Sequence, residues 1–201
     1  IGRYLGYHYG NNNGGTGKIV VGKDTRRSSY MFESAIAAGI TASGSDAYLL
    51  HVTTTPSVSY VTRTEQFDCG VMITASHNGF VDNGIKIITA SGDKIDDELT
   101  DLIEKYIDGE MPEVPFATGS NVGRVVDHAA GRNRYIGYLI ALSAYSFKDK
   151  RIGLDCANGS AWMIAGSVFN ALGAKTYIIG NEPDGENINL NCGSTCIDRL
   201  R

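Results

Sequence analysis

The chain has 201 residues, 42% of them hydrophobic and 20% charged, enough for one sizeable domain or for one domain with part of another. A formal net charge of -4 and a pI near 5.5 exclude the basic field that nucleic-acid binding requires, and no run of 18 apolar residues offers a membrane span. The expected partner is a small molecule or another protein, with no nucleic acid and no membrane involved.

The first ten residues, IGRYLGYHYG, hold neither an initiator methionine nor a basic-then-apolar signal, and read as part of a longer protein. GNNNGGTGKI follows the spacing of a phosphate-binding P-loop. That pattern needs Gly at position 12 and Ser or Thr at 19, where this chain has Asn12 and Ile19, and it must open a helix, whereas this stretch precedes a strand. KIVVG (18–22) reads as that strand. Ser28 and Ser29 are expected to cap a helix that runs through YMFESAIAAGITASG and ends near Gly39 or Gly44. DAYLLH is the next strand, and Pro56 suits the first turn of a helix over PSVSYVTRTE.

GVMIT and GIKII are two short Val/Ile-rich strands enclosing the polar loop ASHNGFVDN. Ile95, Leu99, Leu102, Ile103, Tyr106 and Ile107 then recur at helical spacing, and the run stops at Gly109 and Pro112. GEMPEVPFATGSNVG reads as a linker. After it, RYIGYLIALSAYS (helix), RIGLD (strand), SAWMIAGSVFNALG (helix) and KTYIIG (strand) begin a second α/β unit, with the boundary between residues 112 and 148. The expected fold is α/β, a mixed sheet sandwiched by helices.

Cys69, Cys156, Cys192 and Cys196 are too scattered for a disulfide framework and fit a reducing cytoplasm. Cys192 and Cys196 stand at C-x3-C, but His8, His51, His77 and His128 lie far off in sequence, so the cysteines read as structural thiols rather than zinc ligands. The sequon NGS at Asn158 carries no meaning without secretion.

Three loops that follow strands share a polar, small-residue character: residues 22–29, 74–79 and 155–161. In α/β sheets, ligands sit beyond the carboxyl ends of the strands. Ser76 and His77 are adjacent, which misaligns a base and its nucleophile, and the elbow G-x-S-x-G is absent. A serine hydroxyl in such a loop can instead carry a phosphoryl group, which calls for cationic partners. Arg26 offers a planar fork, and Lys86 stands between Ile85 and Ile87 in an otherwise apolar strand. Both also read as solvated edge charges, and His77 as a hydrogen-bonded structural histidine.

TASHN followed by DNGIK resembles the phosphoserine loop of the α-D-phosphohexomutase superfamily, which interconverts sugar 1-phosphates and 6-phosphates. VGKDTR with its following S, M and ES is similar to the first-domain arginine loop. AAGRNRYIGYL, DCANGSA and GAKTYIIGNEPDGENINLNCGST resemble the second-domain entry of the bacterial phosphoglucosamine mutase branch. The resemblance implies a first domain over residues 1–128 and the start of a second over 129–201.

It also implies that Ser76 is the phosphorylated residue, donating its phosphoryl group to the sugar and taking one back through a sugar 1,6-bisphosphate. His77, Asn78 and Lys86 would surround it, with Lys86 and Arg26 assisting charge and proton transfer. A Mg2+ ion would bridge the phosphoserine and three aspartates of a D-G-D-G-D-R loop, which lies beyond Arg201 in this reading, as the family's F-G-T-D-G-I-R-G loop lies before Ile1. The implied substrate is a hexosamine phosphate, glucosamine 6-phosphate converted to glucosamine 1-phosphate for cell-wall precursor synthesis in the cytoplasm. A homodimer is compatible with it. The alternatives are a phosphomannomutase or phosphoglucomutase, or a noncatalytic binding protein derived from a mutase first domain. One departure stands out: Gly79 replaces the proline that usually follows TASHN, which loosens the loop.

Overall fold

In the computed structural model, residues 1–12 and 14–200 are described. Asn13, within the rejected P-loop stretch, and Arg201, the last residue of the second expected domain, lie outside the described residues. The chain alternates strands and helices as α1 (Gly2–Asn12), β1 (Lys18–Lys23), α2 (Arg27–Ala42), β2 (Asp46–Val52), α3 (Thr55–Thr64), β3 (Cys69–Ile73), β4 (Ile85–Thr89) and α4 (Asp97–Ile107). It continues through β5 (Val125–Asp127), α5 (Ala129–Ala141), β6 (Arg151–Asp155), α6 (Ala165–Ala171) and β7 (Lys175–Ile179). The first five strands form one sheet in the order β4-β3-β1-β2-β5, parallel except for β4, which runs antiparallel to β3. β6 and β7 pair in parallel as a separate two-stranded sheet. This is the expected α/β arrangement of a mixed sheet between helices.

Apolar residues fill both faces of the central strand, as a sheet covered on two sides demands. Ile19 and Val21 of β1 join Leu5, Ile36, Ile40, Val71 and Ile103 in a core beneath α1, α2 and α4. Val20, from the same strand, points the other way, into a core with Leu50, Val58, Val61 and Met72 beneath α3. The period-2 alternation of a strand, applied to KIVVG, thus puts one valine on each side of the sheet. A third cluster of Tyr135, Ile164 and Val168 joins α5 to α6.

Several element ends differ from the sequence reading. Ser28 and Ser29 do not cap α2: Arg26 holds the N-cap position, with no side-chain cap bond, and the Ser29 hydroxyl donates to Asp24 instead at 2.6 Å. A buried acid, Asp24, two residues before the N-cap, competes for that serine. α2 stops at Ala42, and Gly44 follows with φ +90. α5 starts at Ala129, five residues before the expected Arg134, and the expected helix over 160–173 divides into a 3-10 turn (Ser160–Met163) and α6. The linker 109–123 is mostly irregular, but β5 directly after it returns to pair with β2.

α3 and α5 are joined by a polar latch. Glu65, just past α3, accepts from Arg134 Nε at 2.7 Å and Nη2 at 2.5 Å, and lies 2.8 Å from His128 Nε2. Burial alone would raise the Glu65 carboxyl, but the bonds from Arg134 and His128 outweigh it and hold the group below the ordinary glutamate range. An acid with a lowered folded pKa contributes stability above its unfolded value, and this is lost as pH falls through the folded one. Glu65→Gln is therefore expected to cost roughly 1 kcal/mol at neutral pH, discounted because Arg134 is half exposed, and almost nothing at about pH 2. Urea midpoints of the two proteins across that range check this; an equal cost at both ends would show that the carboxylate charge is irrelevant to the latch.

Candidate functional site

The loops after β1, β3 and β6 converge at the carboxyl ends of their strands around a cleft of about 410 Å3, lined by Asp24, Thr74, Ser76, His77, Asp155 and Asn189 among others. Ser76 is exposed at the tip of its loop with φ +56. A non-glycine residue in the left-handed region costs of order 1 kcal/mol or more and persists only where its surroundings hold it there.

Three groups hold it. The Ser76 N–H donates to Thr74 Oγ1 at 3.0 Å. Arg26 Nη2 donates to Asn78 O at 2.7 Å and also reaches Ser76 O at 3.4 Å, while its Nε reaches Gly79 O at 3.4 Å. From the second sheet's side, Asn189 Nδ2 donates to the same two carbonyls, Ser76 O at 3.0 Å and Asn78 O at 2.8 Å. The loop backbone is thus gripped from both sides, while the Ser76 hydroxyl makes no hydrogen bond among the described residues.

Arg26 is fully buried, and its Nη1 makes an ion pair with buried Asp24. Asp24 in turn accepts from the Arg26 N–H at 3.0 Å and from Ser29. The planar fork that the sequence offers to phosphate is therefore committed to a carboxylate and to loop carbonyls. Lys23 and Glu33, also buried, form a second ion pair, so GKDTR and the later ES are two closed charge pairs that brace the start of α2.

The remaining expected residues divide. His77 lines the Ser76 cleft. Asn78 contributes its backbone carbonyl, as above. Lys86 is exposed and makes no ion pair among the described residues; it lines a separate, largely apolar cavity of about 820 Å3 with Thr55, Pro56 and Ile103. Lys86 lies directly across the ladder from Met72, which places the two side chains on one face of the sheet, and Met72, Thr55 and Pro56 also line the Ser76 cleft. Gly79 has φ outside the left-handed region and open space where a Cβ would stand, so the fold does not require glycine there.

The opposite wall is built by Asp155, whose Oδ1 accepts from Ala157 N at 2.9 Å and Oδ2 from Gly193 N at 2.7 Å. The two walls touch where Thr25 Oγ1 donates to Asn158 O at 2.6 Å. Burial first, and then the Asp155 charge, push the Cys156 thiol up, and burial leads the same shift at Cys192. Both thiols stay protonated at neutral pH and are not nucleophiles. Among the described residues no group of three or more His, Cys, Asp or Glu is arranged to hold a metal ion, and both oxygens of Asp155 are occupied by backbone. The residues present thus do not by themselves fit the Mg2+ site that the resemblance implies. No described helix is long and apolar enough to cross a membrane.

Asn189, Asp24, Thr74 and Asp155 escape sequence reasoning. Asp24 directly follows β1 and Asp155 ends β6, each in front of a polar loop, which is the signal that could have drawn attention to them. Asn189 lies more than a hundred residues from the carbonyls it holds.

A family profile described as "Phosphoglucomutase/phosphomannomutase, alpha/beta/alpha domain I" matches residues 1–113. The chain is 64% identical over 202 aligned residues to the phosphoglucosamine mutase of Lachnospira eligens, covering 100% of this chain and 45% of that protein. It is 61% identical over 201 residues to that of Lachnoclostridium phytofermentans, covering 100% of this chain and 44% of the relative. The chain thus spans less than half the length of these curated relatives. A phosphoglucomutase/phosphomannomutase family protein of Burkholderia thailandensis shares the fold with a TM-score of 0.72 at 23% identity, over 92% of this chain and 40% of that one.

Proposed function

The chain belongs to the phosphoglucomutase/phosphomannomutase family, and from that premise we propose that it is the phosphoryl-carrying part of a longer enzyme converting glucosamine 6-phosphate to glucosamine 1-phosphate. The observation that carries this reading is Ser76: an exposed non-glycine residue at φ +56 that lines the cleft, with its backbone gripped from two sides. Strain held at a loop tip is what presenting one side chain requires. We read residues 1–128 as the first domain, since β5 completes its sheet at Asp127, and 129–201 as the start of the second.

In this reading the phosphoryl group sits on Ser76 Oγ. A sugar hydroxyl attacks the phosphorus, the Ser76 Oγ–P bond breaks as the new sugar O–P bond forms, and the proton lost by the sugar hydroxyl is returned to the departing Ser76 Oγ, which leaves as a neutral serine hydroxyl. The resulting sugar 1,6-bisphosphate turns and returns its other phosphoryl group to Ser76. His77, on the cleft wall, is placed to hydrogen-bond the transferred oxygens, and Lys86 balances their charge from the adjoining strand. Arg26 and Asn189 act through the loop backbone by holding Ser76 in line for attack. Mg2+ would supply neutralisation of phosphate charge, with its carboxylates outside this chain, and the enzyme would work in the cytoplasm.

Phosphate on Ser76 in the enzyme isolated from its native cells, located by mass spectrometry of tryptic peptides, tests the reading. An active enzyme phosphorylated elsewhere overturns it. Lys86→Met keeps the length and apolar stem of lysine and removes only the charge. It is expected to lower kcat/KM by about tenfold or more with little change in stability, because a charge facing the transferred group acts mainly in the transition state. Near-normal turnover would return Lys86 to a solvated edge charge.

The choice of amino sugar rests on the named relatives. A site that pairs an ammonium group leaves a buried polar atom unpaired when a neutral sugar binds. On the enzyme at the relatives' length, kcat/KM is expected to be higher for glucosamine 6-phosphate than for glucose or mannose 6-phosphate. Equal or reversed values would move the protein to the phosphomannomutase and phosphoglucomutase branch.

A further inference from the structure

Among its described residues the chain carries Asn-Gly steps at Asn78-Gly79, Asn83-Gly84 and Asn158-Gly159. An asparagine followed by glycine is chemically fragile, because glycine has no side chain to keep its backbone nitrogen from reaching the preceding carboxamide. Such a step reacts where the carboxamide is free to turn and the glycine N–H is uncommitted. A proline in the second position cannot react in this way, since it has no N–H.

Two of the three steps are held. At Asn158, half-buried, Nδ2 donates to Asn187 O at 3.3 Å, Oδ1 accepts from Glu182 N at 3.1 Å, and the Gly159 N–H donates to Cys156 O at 2.8 Å. At Asn83, Oδ1 accepts from the Ser28 hydroxyl and Nδ2 donates to Val81 O at 3.3 Å, while Gly84 O accepts from Thr74 N at 2.8 Å. Asn78 and Gly79 are both exposed, and neither the Asn78 carboxamide nor the Gly79 N–H makes a hydrogen bond among the described residues. What the loop does hold is the Asn78 carbonyl, which accepts from Arg26 Nη2 at 2.7 Å and from Asn189 Nδ2 at 2.8 Å. A peptide carbonyl that accepts from a cation draws charge from its own nitrogen, here that of Gly79, and eases loss of the proton on it.

We propose that Asn78 is a site of spontaneous deamidation, a modification that glycine at position 79 makes possible. The Gly79 nitrogen gives its proton to water and bonds to Asn78 Cγ; the Cγ–Nδ2 bond breaks, and the nitrogen leaves as ammonia with a proton from water, closing a cyclic imide. Water then adds to either imide carbonyl and opens the ring to aspartate or isoaspartate. In the isoaspartyl product the main chain gains one carbon, and the carbonyl that Arg26 and Asn189 hold becomes a free carboxylate facing the buried guanidinium. The modification therefore shifts the register of the clamp on this loop. None of this requires Ser76 to carry phosphate.

The folded 201-residue chain, and the same chain in urea, would be held at mildly alkaline pH over several days, with deamidation located in tryptic peptides by mass spectrometry and isoaspartate identified by fragmentation. In the folded chain Asn78 is expected to convert at least about tenfold faster than Asn83 or Asn158, because a committed step reacts only in the fraction of molecules where its hydrogen bonds have opened. In urea the three rates are expected to converge. Gly79→Pro removes the attacking N–H and is expected to abolish conversion at position 78. Should Gly79→Pro fail to fold, as circular dichroism would show, Gly79→Ala, whose Cβ enters open space, carries the test and is expected to slow conversion several-fold. Conversion at Asn78 no faster than at the other two in the folded chain, or unchanged in the folded position-79 variant, overturns the proposal. A preference for Asn78 that persists undiminished in urea also overturns it, by assigning the preference to local sequence rather than to the fold.

Discussion

Ser76→Ala, made in an enzyme of the relatives' full length, is expected to reduce mutase turnover by at least about a thousandfold, even with a sugar bisphosphate supplied as activator. The acceptor oxygen for the phosphoryl group is then missing, and no neighbour replaces it: Cys156 and Cys192 are held protonated by burial, and Thr74 Oγ1 is occupied by the Ser76 N–H. The same substitution is expected to leave stability within about 0.5 kcal/mol, because Ser76 is exposed and its hydroxyl makes no hydrogen bond among the described residues. Alanine is as strained as serine at φ +56, so the backbone term is unchanged. Ser76→Gly relieves that strain and is expected to be slightly more stable than the parent and equally inactive. Urea midpoints and steady-state rates of the three proteins separate chemistry from folding. An alanine variant within tenfold of the parent would remove Ser76 from the reaction.

How much of this was legible in the sequence depends on the kind of contact involved. β1 to β4, α2 to α4 and the polar loop at Ser76 announce themselves through periodicity, because burial of apolar side chains is what periodicity records. α1 does not. GRYLGYHYGNN has little apolar pattern, and it packs on α2 through glycines: a Cβ at Gly2 would lie 2.4 Å from Ile36 O, and one at Gly6 would lie 2.7 Å from Ile40 O. The contact is made by the absence of side chains, which hydropathy cannot see. β5 is only three residues long and exists because β2 offers an open edge. The clamp on the Ser76 loop is hidden for a related reason. Its acceptors are main-chain carbonyls, which every residue carries, so nothing in TASHN marks them as partners of Arg26 and Asn189.

Arg26 is the residue whose meaning changes most, and Arg26→Met is expected to cost about 3–5 kcal/mol, a large share of the 5–15 kcal/mol that stabilises an ordinary domain. The arginine is fully buried beside Asp24, itself 1% exposed, so its removal strands an uncompensated carboxylate in the interior. Pairing the change with Asp24→Asn removes both charges, keeps a side chain able to accept from Ser29, and is expected to recover most of that stability. Activity should not recover. Asn78 O, Ser76 O and Gly79 O would still lack the guanidinium that spans them, leaving only Asn189 and Thr74 of the three groups that hold the loop. A small misplacement of the nucleophile is enough to cost about a hundredfold in rate. The double variant therefore distinguishes two roles: were Arg26 present only to neutralise Asp24, activity would return with stability. Restored folding with turnover still depressed identifies the guanidinium as the positioning residue for Ser76.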